Sequence, residues 1–165
     1  MKKMFLILFM ASFLGLVNKI LFNPGMTFFR YEIDKYNPEV NDGADDECPI
    51  PLDLASPQEI NLDVAKCFYD KGVSFLDARD EEIFLNGTIK GSINIPFNDF
   101  DPGYVEDYYI DQDVLYVIFC DGGECTLGAD LAEVLFELGY TNLLLYEGGY
   151  PEWERNQYPI NVVEL

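Results

Sequence analysis

The chain has 165 residues, 49% of them hydrophobic and 24% charged, which suits one domain with an extension and an ordinary buried core. Its 30 Asp and Glu against 10 Lys and Arg give a net charge of -20, so nucleic acid, anionic membrane surfaces and small anionic substrates are disfavoured unless a local site overrides the field. There is no His, which excludes His general bases, Ser-His-Asp and Cys-His pairs and His-bearing metal sites, and leaves Cys, carboxylates, Tyr, Lys and backbone dipoles for any chemistry.

The first predicted element is a helix over residues 1–22. Lys2 and Lys3 precede an unbroken apolar or small-residue run over residues 4–17, and Ile20, Leu21 and Phe22 resume it after Asn18 and Lys19. As a helix, residues 4–22 span about 28 Å, close to the hydrocarbon thickness of a bilayer, and Lys19 can snorkel outward. No clear small-x-small cleavage site follows, so an uncleaved signal anchor is favoured, with secretion after signal cleavage as the alternative. Lys2 and Lys3 keep the N-terminus in the cytoplasm and put a single-pass protein's domain on the extracytoplasmic (periplasmic) side. Residues 23–55 read as an acidic linker, punctuated by Asn-Pro and Pro-Gly and carrying Asp42, Asp45, Asp46 and Glu47. Phe28, Phe29, Tyr31 and Tyr36 imply that part of it packs on something, while Cys48 within it reads as incidental. From Tyr36 onward, 28 acidic residues face 5 basic ones.

Residues 56–165 read as the folded domain. A short strand is predicted at 59–60, then a helix over 62–71 capped by Asn61, with Leu62, Ala65 and Phe68 at helical spacing and Cys67 on its buried side. A strand at 73–78, a short helix at 80–86 and a strand at 93–95 follow. The most apolar run, 114–119, reads as the central strand. A helix is predicted over 126–138, with Leu127, Leu131, Val134, Leu135 and Leu138 on one stripe and Asp130, Glu133 and Glu137 on the wet face. A buried strand at 143–146 and a helix at 150–156 complete the series. Strands alternating with helices predict an α/β domain with a mainly parallel sheet.

Such sheets place their sites at the carboxyl ends of strands, and Cys120 stands there, between the central strand and the longest helix. In the loop Cys120-Asp121-Gly122-Gly123-Glu124-Cys125, the two glycines let successive backbone amides turn inward. The amides of Asp121, Gly122, Gly123, Glu124, Cys125 and Thr126, with the helix dipole behind them, are the candidate cradle for a negative sulfur on Cys120. The Asp121 and Glu124 side chains act in the opposite direction if they approach that sulfur. Cys125 is either a resolving thiol close enough for a disulfide with Cys120, or a residue packed under the helix start. Asp77 and Arg79 are either a polar wall of the site or an internal ion pair holding the fold.

Four segments in order carry a resemblance: Phe75-Leu76-Asp77-Ala78-Arg79; Asn86-Gly87-Thr88-Ile89-Lys90-Gly91-Ser92-Ile93-Asn94-Ile95-Pro96; Val117-Ile118-Phe119-Cys120; and Leu145-Tyr146-Glu147-Gly148-Gly149-Tyr150-Pro151-Glu152-Trp153. Together they make residues 56–162 resemble a rhodanese-like domain. The resemblance implies a parallel five-stranded α/β fold flanked by helices, and sulfur transfer through a persulfide on Cys120. It implies no metal or organic cofactor, and a sulfane-sulfur donor and a thiol acceptor as partners.

The chain departs from the family pattern at three points. Gly87-Thr88-Ile89 replaces the usual Gly-His-Ile. Asp121 and Glu124 stand in a loop that commonly carries Arg or Lys. Cys125 stands where Arg often ends that loop. An anionic donor such as thiosulfate gains nothing from these side chains, so the expected donor is neutral, a thiol persulfide, or carried by a basic partner protein. The Cys-x5-Arg of related phosphatases and arsenate reductases ends here in Thr126, which disfavours phosphoryl chemistry. Two other functions fit the scaffold: a thiol-redox protein cycling a Cys120-Cys125 disulfide, and a non-catalytic binding module.

Overall fold

A computed structural model of the chain describes residues 34–35, 48 and 56–162. The predicted membrane helix at 1–22 and most of the segment 23–55 lie outside the described residues. Among the described residues, no helix is long and apolar enough to cross a membrane.

The elements run in the order β1 (Asp34–Lys35), β2 (Gln58–Ile60), α1 (Leu62–Asp70), β3 (Ser74–Asp77), α2 (Glu81–Asn86), β4 (Thr88–Ile89), β5 (Ile93–Asn94), β6 (Tyr116–Phe119), α3 (Leu127–Glu137), β7 (Leu143–Tyr146), α4 (Gly149–Arg155) and β8 (Ile160–Asn161). Two 3-10 turns, Phe97–Asp99 and Pro102–Tyr108, carry the chain from β5 to β6. The main sheet has the order β1-β2-β7-β6-β3-β5, and every pairing in it is parallel. Its five strands β2, β7, β6, β3 and β5 are the parallel sheet expected from the sequence, and β6 is central among them.

Both faces of the sheet are covered, which is why its inner strands are apolar without alternation. Phe75, Val117, Phe119, Leu144 and Tyr146 pack with Val64 and Phe68 of α1 and Trp153 of α4 on one face. Leu76, Ile118 and Leu143 pack with Leu131, Ala132 and Leu135 of α3 on the other. The side-chain carbonyl of Asn61 accepts the Val64 amide at 3.1 Å, the predicted cap, and such a bond stabilises a helix start by about 1 kcal/mol. Trp153 is fully buried in an aromatic cluster with Tyr69, Phe75, Tyr146 and Tyr158, and its indole N–H donates to the Pro159 carbonyl.

Two features of the fold lie beyond the sequence reading. Residues 34–35, inside the expected linker, add a sixth strand by pairing with Gln58 and Glu59 at the edge of the sheet. The two-residue strands β4 and β8 pair antiparallel apart from the main sheet. None of the three is long enough to show a period of two. One expectation is corrected. Cys48 is not incidental and Cys67 is not a free buried thiol, because the two form a disulfide with Cα atoms 5.7 Å apart. Position 48 lies in a stretch without apolar periodicity, so nothing local marks it as a partner for the helix.

This disulfide closes a sequence separation of 19 residues. Loop-closure entropy of that size corresponds to about 3 kcal/mol. Cys48→Ser is therefore expected to lower the urea midpoint of unfolding by an amount equivalent to about 3 kcal/mol. An unchanged midpoint would contradict a fastening role for the bridge.

Candidate active site

Strand β6 is buried along its whole length and delivers Cys120 at its carboxyl end, with the residue itself only 4% exposed. The chain then makes a tight turn, in which the Cys125 amide donates to the Gly122 carbonyl at 3.1 Å, and enters α3. Gly122 and Gly123 have φ of +69° and +61°, a left-handed conformation that side chains rarely adopt. Gly122 is also pressed against the β7–α4 turn, where a Cβ would collide with the Gly148 carbonyl oxygen. From the other side Gly149, at φ +62°, fits beneath the loop, where a Cβ would collide with the Cys120 carbonyl oxygen. The Tyr150 amide donates to that same carbonyl at 2.9 Å. The Gly148-Gly149 turn therefore holds the base of the Cys120 loop as well as starting α4. Gly149→Ala is expected to cost about 1–3 kcal/mol through this collision and to raise the rate at which Cys120 of the reduced protein is alkylated. Equal stability and equal reactivity would show that the turn does not hold the loop.

Asp77 and Arg79 form the internal ion pair, at 0% and 2% exposure. Arg79 grips Asp77 with two parallel bonds, Nε to Oδ1 at 2.9 Å and Nη2 to Oδ2 at 2.6 Å, and its own amide adds a third to Oδ1. Nη2 also donates to the Gly87 carbonyl at 2.8 Å. The guanidinium lies over the Tyr150 ring, 4.5 Å from its centroid. Burial alone would lower the Arg79 pKa, but the hydrogen bonds and charges of Asp77 and Asp121 outweigh it and hold the group above its ordinary value. Thr88, at the position where the family usually has His, donates its hydroxyl to Asp77 Oδ2 at 2.7 Å. At this departure from the family pattern the buried carboxylate thus has a hydrogen bond from a hydroxyl.

This pair reaches the loop. Arg79 Nη1 donates to Asp121 Oδ1 at 3.3 Å, so the carboxylate nearest in sequence to Cys120 faces a cation. Glu124 is exposed. Asp121 would oppose a negative sulfur if it approached it, and the geometry gives its charge a partner in Arg79.

Cys120 and Cys125 form a second disulfide, with Cα atoms 6.6 Å apart and a sequence separation of five. The Cys125 carbonyl oxygen lies 3.4 Å from the Cys120 sulfur. Cys125 is half-buried and Thr126 exposed. Of the six cradle amides named from the sequence, that of Cys125 is engaged within the turn by the Gly122 carbonyl.

Beside the loop an open cleft of about 470 Å³ is lined by Ile60, Asn61, Leu62, Asp63, Gly123, Glu147, Gly148 and Glu152. It lies outside the carboxyl ends of β2 and β7. Glu152 accepts the Tyr146 hydroxyl at 2.9 Å, and burial followed by this bond pushes the Tyr146 pKa far above the usual tyrosine range. Among the described residues, no cluster of Cys, Asp or Glu is placed to hold a metal ion. Tyr150, which the sequence does not single out, stands against the base of the loop through its amide and against Arg79 through its ring. Its place beside the Gly148-Gly149 turn was the available signal, because a backbone that turns so sharply beside a strand end must meet the neighbouring strand's loop.

The family model for the rhodanese-like domain matches residues 60–156. Among solved structures, a rhodanese-related protein from Thermoplasma volcanium is 30% identical, with 64% of this chain and 98% of that one covered and a TM-score of 0.50. The human single-domain sulfurtransferase TSTD1 is 26% identical over 61% of this chain and 96% of its own, also with a TM-score of 0.50. The BH2092 protein of Bacillus halodurans, at 19% identity, 64% and 77% coverage and a TM-score of 0.57, shares the fold.

Proposed function

The chain belongs to the rhodanese-like domain family, and from that membership we propose that it transfers sulfane sulfur through a persulfide on Cys120 to a thiol acceptor. The observation that carries this reading is the position of Cys120, at the end of the central strand and at the head of a glycine loop held in a left-handed conformation before α3. Backbone amides and the amino end of a helix favour a negative sulfur there without a His base. That human TSTD1 is a sulfurtransferase adds support at the level of the family.

In the reduced protein the Cys120 thiolate attacks the outer sulfur of a donor persulfide. The donor's S–S bond breaks, its inner sulfur leaves as a thiolate, and Cys120 carries the persulfide. An acceptor thiolate then attacks the outer sulfur and the Cys120 thiolate leaves. Neither step needs a metal or an organic cofactor. The acidic surface, continued at Asp121 and Glu124, favours a neutral donor or one borne by a basic protein.

We further propose that residues 1–22 anchor the chain in a membrane, with the domain on the extracytoplasmic side. Lys2 and Lys3 support that orientation, and two disulfides suit an oxidising compartment. A second reading, a thiol-redox protein that never handles sulfane sulfur, draws on the Cys120-Cys125 pairing.

A transfer assay on the pre-reduced full chain separates the two, with a simple alkyl persulfide or the more highly charged thiosulfate as donor and a small thiol as acceptor. Turnover with the persulfide and much less with thiosulfate is expected. Disulfide cycling with sulfur reaching neither Cys120, the acceptor nor free sulfide would leave the redox reading in its place.

A further inference from the structure

Cys120 and Cys125 are bonded to each other, yet they differ in access. Cys120 is 4% exposed, while Cys125 is half-buried at the point where the loop enters α3. The sulfur that Cys125 reaches is the Cys120 Sγ itself, which in a persulfide is the inner sulfur. Two thiols so placed do not need an external acceptor to end the life of a persulfide between them.

We infer that Cys125 resolves the Cys120 persulfide, and that the resulting disulfide is reopened by a dithiol attacking Cys125. The inference rests on Cys120 carrying sulfane sulfur as proposed above. In the first step the Cys125 thiolate attacks the inner sulfur of Cys120–S–SH. The Sγ–Sγ bond forms, the bond to the outer sulfur breaks, and hydrosulfide leaves. The sulfane sulfur gains the two electrons that the two thiols lose, so atoms and charge balance. In the second step one thiolate of a reducing dithiol attacks Cys125, the more exposed residue of the two. Cys120 leaves as the thiolate, at the amino end of α3, where loop amides and the helix dipole favour that charge. The dithiol's second thiol then attacks the dithiol's own sulfur in the mixed disulfide, releases Cys125 and leaves the dithiol oxidised. A reaction that supplies electrons through thiol–disulfide exchange must therefore follow each release of sulfide.

The order of attack is testable on the full chain. Reduced protein is loaded with a limiting alkyl persulfide and freed of small thiols. Wild type is expected to release one equivalent of sulfide and to end with the Cys120-Cys125 disulfide. Cys125→Ser is expected to keep the persulfide on Cys120 and release none. Separately, the oxidised wild type is treated with limiting glutathione, a monothiol, and the mixed disulfide is mapped by mass spectrometry, with the adduct expected on Cys125. Equal sulfide release from Cys125→Ser, an extra sulfur on Cys125, or glutathione on Cys120 would overturn the inference while leaving sulfur transfer intact. No persulfide on Cys120 in Cys125→Ser would remove the reading on which it rests, and the inference with it.

Discussion

Asp77→Ala is expected to destabilise the domain by about 3–5 kcal/mol, the range for removing one partner of a buried ion pair. Asp77 is fully buried and its carboxylate accepts four hydrogen bonds: two from the Arg79 guanidinium, one from the Arg79 amide and one from the Thr88 hydroxyl. Its loss leaves the Arg79 cation inside the protein with the Gly87 carbonyl, the more exposed Asp121 and the rings of Tyr150 and Phe119 to answer it. Small domains are stable by about 5–15 kcal/mol in total, so this one change consumes a large share. Because Arg79 also touches Asp121 and lies over the Tyr150 ring, the Cys120 loop is expected to loosen before the sheet does. Urea unfolding measures the first effect, and alkylation of Cys120 at low urea measures the second. A loss below about 1 kcal/mol would mean that water reaches Arg79 and that the pair is not the keystone its burial implies.

Cys120→Ser is expected to reduce sulfur transfer to the uncatalysed background, because a serine hydroxyl is neither ionised at neutral pH nor able to hold a sulfane sulfur. The same change removes the Cys120-Cys125 bridge, whose five-residue separation corresponds to about 2 kcal/mol of loop-closure entropy, against about 3 kcal/mol for the 19-residue bridge from Cys48. The variant is therefore expected to stay folded, with an unfolding midpoint lowered by an amount equivalent to about 2 kcal/mol. Cys125→Ser serves as the control: it loses the same bridge and retains persulfide loading. Transfer that survives Cys120→Ser would place the chemistry on another group.

The parts of this fold that could be read from sequence are those in which one physical pressure acts over many residues. Strand β6 sits between covered faces, so its residues are apolar without a break, and its central place was legible. In α3 the apolar stripe against β6 and β7 repeats at helical spacing, and its ends fell within a residue of expectation. The place of Cys120 followed from these two elements, since the carboxyl end of a central strand opens outside the sheet. What escaped was set by single long-range contacts. Cys48 meets Cys67 across a stretch that carries no periodic pattern. Asp34 and Lys35 form only two ladder positions. The turn of Asp121 toward Arg79 depends on a guanidinium 42 positions earlier, delivered by a neighbouring strand. Thr88 departs from the family pattern, and only the fold shows that its hydroxyl reaches Asp77.

The most direct test of sulfur transfer is to follow one isotopically labelled sulfur. Reduced full-length protein is mixed with a donor persulfide labelled at its outer sulfur, quenched at successive times with an alkylating agent, and digested for mass spectrometry. Label is expected first on Cys120, and later on an added thiol acceptor or in free sulfide as Cys120 and Cys125 pair. Label that never appears on Cys120, while the Cys120-Cys125 disulfide still opens and closes with added thiols, would contradict sulfur transfer and make the domain a thiol-redox protein.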